Sequence, residues 1–377
     1  MRALRSLITA TLGLVLVAAP TPPAAAQAPS KMQWKMQSSW PAADFHQVNP
    51  KGLVEKVAEM TGGRLQIDLQ PAGTVVPAFE VLDAVNRGIL DAGHSWPGFW
   101  TGKHPAATLF GSAPGGPYGM NAEDYLGWIY LGGGLELYNE LLQKELKMNV
   151  VVFPTFGETP EPQGWFRKAI KSPADLKGMK FRATGIAAEV FKEMGMSVVS
   201  VAPGEIVPAL ERGVVEAAEF SDPSADMAIG LHQVRKFFHM PGIHQPTGIM
   251  ELQVNKQKWD ELPADVKAIV KHAAMAEALH YTLKMLDRNS QDLVTLVTKH
   301  GVTVVETPRE VFSEILRAWD KVSERKAKEN PFFGKVLESQ KAWAARVVPY
   351  RRCCHPPYEF AADYYWKGAN PYKILKP

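Results

Sequence analysis

Cysteine is nearly absent: the 377 residues hold only Cys353 and Cys354, and these two are adjacent. Neighbouring cysteines pair only with strained geometry, so a disulfide framework is excluded. With His355 beside them they form either a two- or three-ligand soft-metal site on one short tail or an incidental feature of that tail. Charge of one sign is lacking too. The formal net charge is +3, and Arg2 and Arg5 at the N-terminus carry two of those units. No basic stripe is interleaved with aromatics, so a polyanion such as nucleic acid is not an expected partner. The chain has no Gly-x-Ser-x-Gly elbow, no His-Glu-x-x-His helix and no isolated cysteine with a plausible base, and the expectation is that it is not an enzyme. The glycine runs Pro114-Gly115-Gly116-Pro117-Tyr118-Gly119 and Gly132-Gly133-Gly134 have neither a following Lys-Ser/Thr nor a preceding buried strand, and read as loops rather than phosphate cradles. The ten histidines show no close ligand spacing: His239 and His244 flank Pro241-Gly242, and His272 and His280 stand eight apart on a helical stretch. Ordinary polar or surface roles are expected for them.

Long apolar runs are missing after the first 26 residues. Within those 26, Arg2 and Arg5 precede a short apolar stretch from Leu7 to Ala19, then prolines, then Ala24-Ala25-Ala26. This is the pattern of a cleavable secretory signal, and the run falls short of the about 20 residues a membrane span needs. The expected mature product is therefore soluble and outside the cytoplasm. Its roughly 350 residues exceed what one growing core accommodates, so two lobes are expected.

Met32-Gln33-Trp34-Lys35-Met36-Gln37 alternates as a strand does. Residues 47–60 read as an amphipathic helix ended by Thr61-Gly62-Gly63, and Arg64-Leu65-Gln66-Ile67-Asp68-Leu69 alternates again. This β-α-β spacing predicts an α/β lobe with parallel strands. Further strands are expected at 148–153 and 303–305. An internal repeat stands out. Residues 80–94 and 205–219 share Glu80/Glu205, Ala84/Ala209, Arg87/Arg212, Gly88/Gly213 and Ala92/Ala217 at a constant offset. Each copy is a short helix stopped by glycine and followed by a short apolar strand. If the lobes are a pseudo-duplication, the residues after each strand face one crevice, because ligands of open α/β sheets sit beyond the carboxyl ends of strands. Those residues are Ser95-Trp96-Pro97-Gly98-Phe99-Trp100 and Glu219-Phe220-Ser221-Asp222-Pro223.

From Pro263 to about His300 runs one long helical pattern that at about 1.5 Å per residue outspans a lobe and would brace both. The alternative is two helices broken near Asp287-Arg288-Asn289-Ser290. Between Ser172 and Gly185, Ser172 is an N-cap with Pro173 at the first helical position, Gly178 closes a short helix, and Met179 and Phe181 face a core. Arg182 then stands at a strand end before a helix start near Ile186. It is either a guanidinium placed to grip a carboxylate or a solvated arginine.

The run Ser172–Gly185, the repeat at 205–219 and the stretch Val254-Asn255-Lys256-Gln257-Lys258-Trp259-Asp260-Glu261-Leu262-Pro263 resemble the extracytoplasmic binding proteins of tripartite ATP-independent periplasmic (TRAP) transporters, in order and over nearly the whole mature chain. Within that family, Ser95–Lys103 and Gln163-Gly164-Trp165-Phe166 look like the branch that binds 2-oxo or 2-hydroxy monocarboxylates, such as pyruvate or lactate, with a metal ion. The resemblance implies an α/β, two-lobed periplasmic-binding-protein fold with a hinge and a long helix spanning both lobes. It implies a periplasmic location, delivery of cargo to a TRAP membrane permease, and sodium in preference to calcium as the ion. Arg182 would pair with the substrate carboxylate, Gln163 would touch both ligand and ion, and Trp96 would pack over the ligand. Glu219 would hold the metal with the backbone carbonyl of Phe220 and with Glu251. All-oxygen donors suit a hard cation that a 2-oxo acid can chelate. The branch commonly has tryptophan where Phe220 stands, which leaves a backbone ligand intact and puts the pocket shape in doubt.

The expected organisation is a signal at 1–26, a first lobe of 31–157 plus about 247–300 including the interlobe helix, a second lobe of 158–246 plus about 301–345, and a tail at 346–377. Tyr358, Phe360, Tyr364, Tyr365 and Trp366 make that tail either a homodimer contact or a flap packed on its own lobe. Other roles stay open at this level: Trp96 and Trp100 as core aromatics, Glu219 as a surface acid paired with a lysine, Gln163 as a strand cap. The alternative functions are a secreted sensory ligand-binding protein and a carboxylate-processing enzyme.

Overall fold

The computed structural model describes residues 31–157 and 160–366, so the expected secretory segment at 1–26 and the last eleven residues of the tail lie outside it. Strand β1 (Met32–Ser38) leads through the helix Val48–Met60 to β2 (Leu65–Gln70), and a short helix Val81–Asn86 leads to β3 (Ala92–Ser95). β1 pairs in parallel with β2 and with β3. The alternation read from the sequence is physical: Trp34, Met36, Leu65 and Ile67 bury against Leu53 and Val57 of the helix. β4 (Val150–Gly157) forms the far edge of a five-stranded sheet.

The second sheet repeats the plan. β5 (Gly164–Phe166), β6 (Lys180–Arg182), β7 (Ser197–Val199), β8 (Ala217–Ala218) and β9 (Phe237–Met240) belong to it, β6 lying parallel to β7 and to β8. The chain then returns to the first sheet with β10 (Ile249–Asn255), antiparallel to β3 and β4, and back to the second with β11 (Thr303–Glu306), parallel to β9. The orders are β2-β1-β3-β10-β4 and β7-β6-β8-β5-β9-β11. In both, a parallel triplet meets an antiparallel fourth strand.

The internal repeat is real at backbone level. The helices Val81–Asn86 and Ile206–Glu211 follow matching 3-10 turns, and Gly88 and Gly213 both take φ +71°, the left-handed value that ends each helix. The long helix is unbroken from Ala264 to Thr298, 35 residues or about 52 Å. Its first part packs on the helix Val48–Met60 and on β4, and farther along it meets the helix Pro223–Ala228 beside the second sheet. Lys56 reaches Glu277 at 2.6 Å, and Ser224 N donates to Asn289 Oδ1 at 2.9 Å. Three further helices close the described chain, the last of them Tyr358–Tyr365. Arg309–Glu329 lies on the helix Gly185–Glu193, and Pro331–Cys354 lies on Pro117–Gly119 and the helix Ala122–Leu131. Cys353 and Cys354 are exposed and unbridged.

Candidate functional site

The parallel pairing of β6 with β8 places Arg182 opposite Ala218, so Glu219 leaves β8 beside the guanidinium. Both side chains are buried. Arg182 Nη1 donates to the Glu219 backbone carbonyl at 2.8 Å and to Glu219 Oε1 at 2.9 Å, while Nε and Nη2 donate to the Val201 carbonyl at 3.3 and 3.1 Å. Thr184 N also donates to Glu219 Oε1. Of the five N–H groups of an arginine this leaves one, on Nη2, for an incoming anion. Burial raises the Glu219 carboxyl above its ordinary pKa, and the nearby Arg182 charge pulls against that rise. Glu219 Oε2 is buried and has no hydrogen-bond partner among the described residues.

Arg182 opens into a cavity of about 290 Å³ lined by residues of both lobes. Glu161, Arg182, Thr184, Ser221 and Gln245 form a polar wall, and Trp40, His46, Trp96, Phe99, Phe220 and Met250 form a largely aromatic one. The Phe220 ring lies 5.8 Å from Arg182 Cζ. Trp96 occupies a slot cut by glycine. A Cβ on Gly98 would collide with its ring, and one on Gly185, from the second lobe and at φ +61°, would come within 2.8 Å of it. Trp96 Nε1 is buried without a partner among the described residues, which leaves a donor for a bound oxygen. A larger surface groove of about 930 Å³ runs past Phe153, Trp259 and Lys271. It has no comparable convergence of buried charge, so the smaller cavity is the candidate site.

Glu161, Glu219 and His244 each offer a ligand atom, all within 4.8 Å of one another, and all three residues are buried. His244 Nε2 lies 3.4 Å from Glu161 Oε2, and Gln245 Nε2 donates to Glu161 Oε1 at 3.1 Å. Burial pushes the His244 pKa down to about 3, so its imidazole is neutral and can serve as a ligand. With the Glu161 carboxylate and the neutral His244 imidazole beside it, the bare Glu219 Oε2 can take part in holding a cation.

The sequence-nominated residues are distributed unevenly. Trp96, Arg182 and Phe220 line the cavity, and Glu219 stands directly behind Arg182. Gln163 is buried, its N–H donating to the His239 carbonyl and its Oε1 unpartnered among the described residues; Glu161, two positions earlier, is the one that lines the cavity. Glu251 sits on β10 outside the lining. Its Oε1 accepts from Trp100 Nε1 at 3.1 Å and Gln253 Nε2 at 2.7 Å, and burial pushes its pKa up to about 7. Trp100 is fully buried in the core. Sequence reading overlooked Glu161, His244, Gln245, His46 and Trp40. Glu161 lies on the approach to the same strand as Gln163, so it was the one within reach; His244 is brought in by a loop whose path no spacing rule gives.

The sequence profile of the bacterial extracellular solute-binding proteins of family 7, DctP, matches residues 37–330. The monocarboxylate 2-oxoacid-binding periplasmic protein of Nostoc sp. is 32% identical over 328 residues, 87% of this chain and 88% of that protein. A TRAP transporter solute-binding protein from Bordetella bronchiseptica, a dimer with calcium and picolinate in an occupied site, superposes with a TM-score of 0.82 at 29% identity, covering 89% of this chain and 97% of that one. A TRAP periplasmic solute-binding protein from Pseudoalteromonas atlantica, with sodium and pyruvate bound, gives 0.80 at 28% identity, covering 90% and 100%. These relatives are receptors rather than enzymes. With its two sheets, bracing helix and buried arginine–glutamate pair on the second sheet, the chain belongs to the DctP family of extracellular solute-binding proteins that serve TRAP transporters.

Proposed function

We propose that this receptor captures a small 2-oxo or 2-hydroxy monocarboxylate together with a divalent cation, and presents both to a TRAP membrane permease. The observation that carries the reading is the buried Arg182–Glu219 pair, one guanidinium N–H still unused and one carboxylate oxygen still bare, at the edge of a cavity walled by aromatics. The free Nη2 N–H takes the cargo carboxylate, Trp96 packs over the cargo with its indole N–H toward a carbonyl or hydroxyl oxygen, and Gln163 backs the polar wall. Glu219, Glu161 and the Phe220 carbonyl hold the cation through oxygen atoms, with neutral His244 beside them, and Glu251 supports the opposite wall.

Charge arithmetic supports a divalent ion. Arg182, Glu161 and Glu219 sum to one negative charge, the cargo adds another, and neutral His244 adds none. A divalent cation brings the buried site to neutrality and sodium leaves it one charge short, a costly state away from water. Glu161 therefore favours calcium over the sodium expected from the sequence. Isothermal titration of chelator-treated protein with pyruvate, lactate and longer 2-oxo acids, with added calcium or sodium, tests this. Strong heat with calcium is expected, and no heat with any small carboxylate sinks the reading.

The lobe boundaries near residues 157 and 247, export by a cleaved signal at Ala26, and dimerisation through the tail belong to the same proposal. Tyr358, Phe360, Tyr364, Tyr365 and Trp366 are all exposed on that tail, and the Bordetella relative is a dimer. Light scattering before and after truncation at residue 345 checks the last point.

A further inference from the structure

A second set of groups crosses the same cavity without belonging to the carboxylate and cation machinery. His46 lies on the one-turn helix Phe45–Gln47, next to the first sheet, and is buried. Asp44 Oδ1 accepts from both His46 N at 2.9 Å and His46 Nδ1 at 2.8 Å, which fixes the ring and leaves Nε2 to face outward. His46 Nε2 meets Ser221 Oγ, just beyond β8 of the second sheet, at 3.0 Å. The ring is held from both lobes as well, 4.8 Å from the Trp40 ring and edge-on to Phe220 at 5.6 Å. Ser221 is held in turn: its N–H donates to Asp226 Oδ1 at 3.0 Å, and its hydroxyl lies 3.3 Å from Asp222 Oδ2.

We propose that the Asp44–His46–Ser221 chain is a latch that holds the two lobes closed, with His46 as a positioning residue for cargo retention. The bond joins residues 175 positions apart in the chain, on opposite walls of the cavity. The bond involves protein groups alone, so its hold on the closed cleft does not require the cargo. The Asp-His-Ser order also matches that of a hydrolytic relay. Here, however, the Ser221 N–H that would help stabilise an oxyanion is already bonded to Asp226 Oδ1, which argues against acyl transfer.

The latch is tested first on the cargo-free protein, so its fate is separate from that of the proposed cargo. Ser221→Ala removes one hydroxyl from a partly exposed position and leaves the core intact. Hydrogen exchange is expected to speed up about fivefold to tenfold at residues 44–47 and 219–222 together, the loss of about one buried hydrogen bond. His46→Ala is expected to do the same, and the double variant no more than either single, as required of two groups that act through one bond. His46→Gln, which keeps a hydrogen-bonding tip, should restore part of the protection. In a second arm, with pyruvate and calcium, each single variant should raise the dissociation rate by a similar factor and leave the association rate within about twofold. Effects that multiply in the double variant, or protection lost on one wall only, overturn the latch. Absence of pyruvate binding by the unaltered protein overturns the proposed cargo instead, while the exchange arm still decides the latch.

Discussion

Gln37 on β1 and Arg182 on β6 occupy the same place in their respective sheets, and their bonds match. Gln37 ties down the backbone of residues 75 and 76, and Arg182 ties down the carbonyl of Val201, which corresponds to residue 76 at the repeat offset. The amide spends its bonding capacity on its own loop. The guanidinium does the same task and still has N–H groups for Glu219 and for the cavity. His94 and Glu219 correspond in the same way: His94 is enclosed by Trp40, Asn49 and Thr155, with burial pushing its pKa down to about 3, while Glu219 keeps a bare oxygen. One scaffold thus yields an apolar lid and a charged floor through a few substitutions at equivalent positions.

The sharpest way to break this comparison is Arg182→Gln, which gives the second lobe the first lobe's residue. Calorimetry should show cargo affinity falling by at least about 100-fold, with the far-ultraviolet circular dichroism spectrum preserved. Glu161→Gln should lower calcium affinity by about tenfold and narrow the preference over sodium, read from paired titrations with the two ions. A smaller effect is expected at the brace. A Cβ on Gly52 would lie 2.5 Å from the Glu277 carboxylate that pairs with Lys56, so Gly52→Ala should cost about 2 kcal/mol and lower the melting temperature by several degrees. The smallest compares the buried acids of the two sheets. Glu251 is raised from 4.5 to about 7, so the folded chain binds its proton more tightly than the unfolded chain. Its contribution is complete below pH 4.5 and fades as pH rises to about 7. Glu251→Gln should therefore gain melting temperature relative to the unaltered protein across that window, as scanning calorimetry at pH 4.5 and 7.5 would show.

Much of the fold was legible because it rests on local rules. Two-residue alternation marked β1 and β2, a glycine at the end of each short helix marked the repeat, and the proline-led start at Pro263 and Gly301 bracketed the brace. The site was legible only where it coincided with those rules. Arg182 and the residues after β3 and β8 were nominated by strand-end position. Glu161 and His244 were not, because they reach Glu219 through a proline-broken approach and a loop, and no periodicity connects positions 161, 219 and 244. The placement of Glu251 beside Trp100 rather than along the cavity follows from the antiparallel register of β10, which becomes fixed only when distant strands pair.

The glycine slot around Trp96 also gives the molecule an intrinsic optical gauge. One side of that slot, Gly185, belongs to the other lobe, so parting the lobes wets an indole that is otherwise dry. A shift of tryptophan emission to longer wavelength should therefore follow the opening of the cleft in real time without any attached dye.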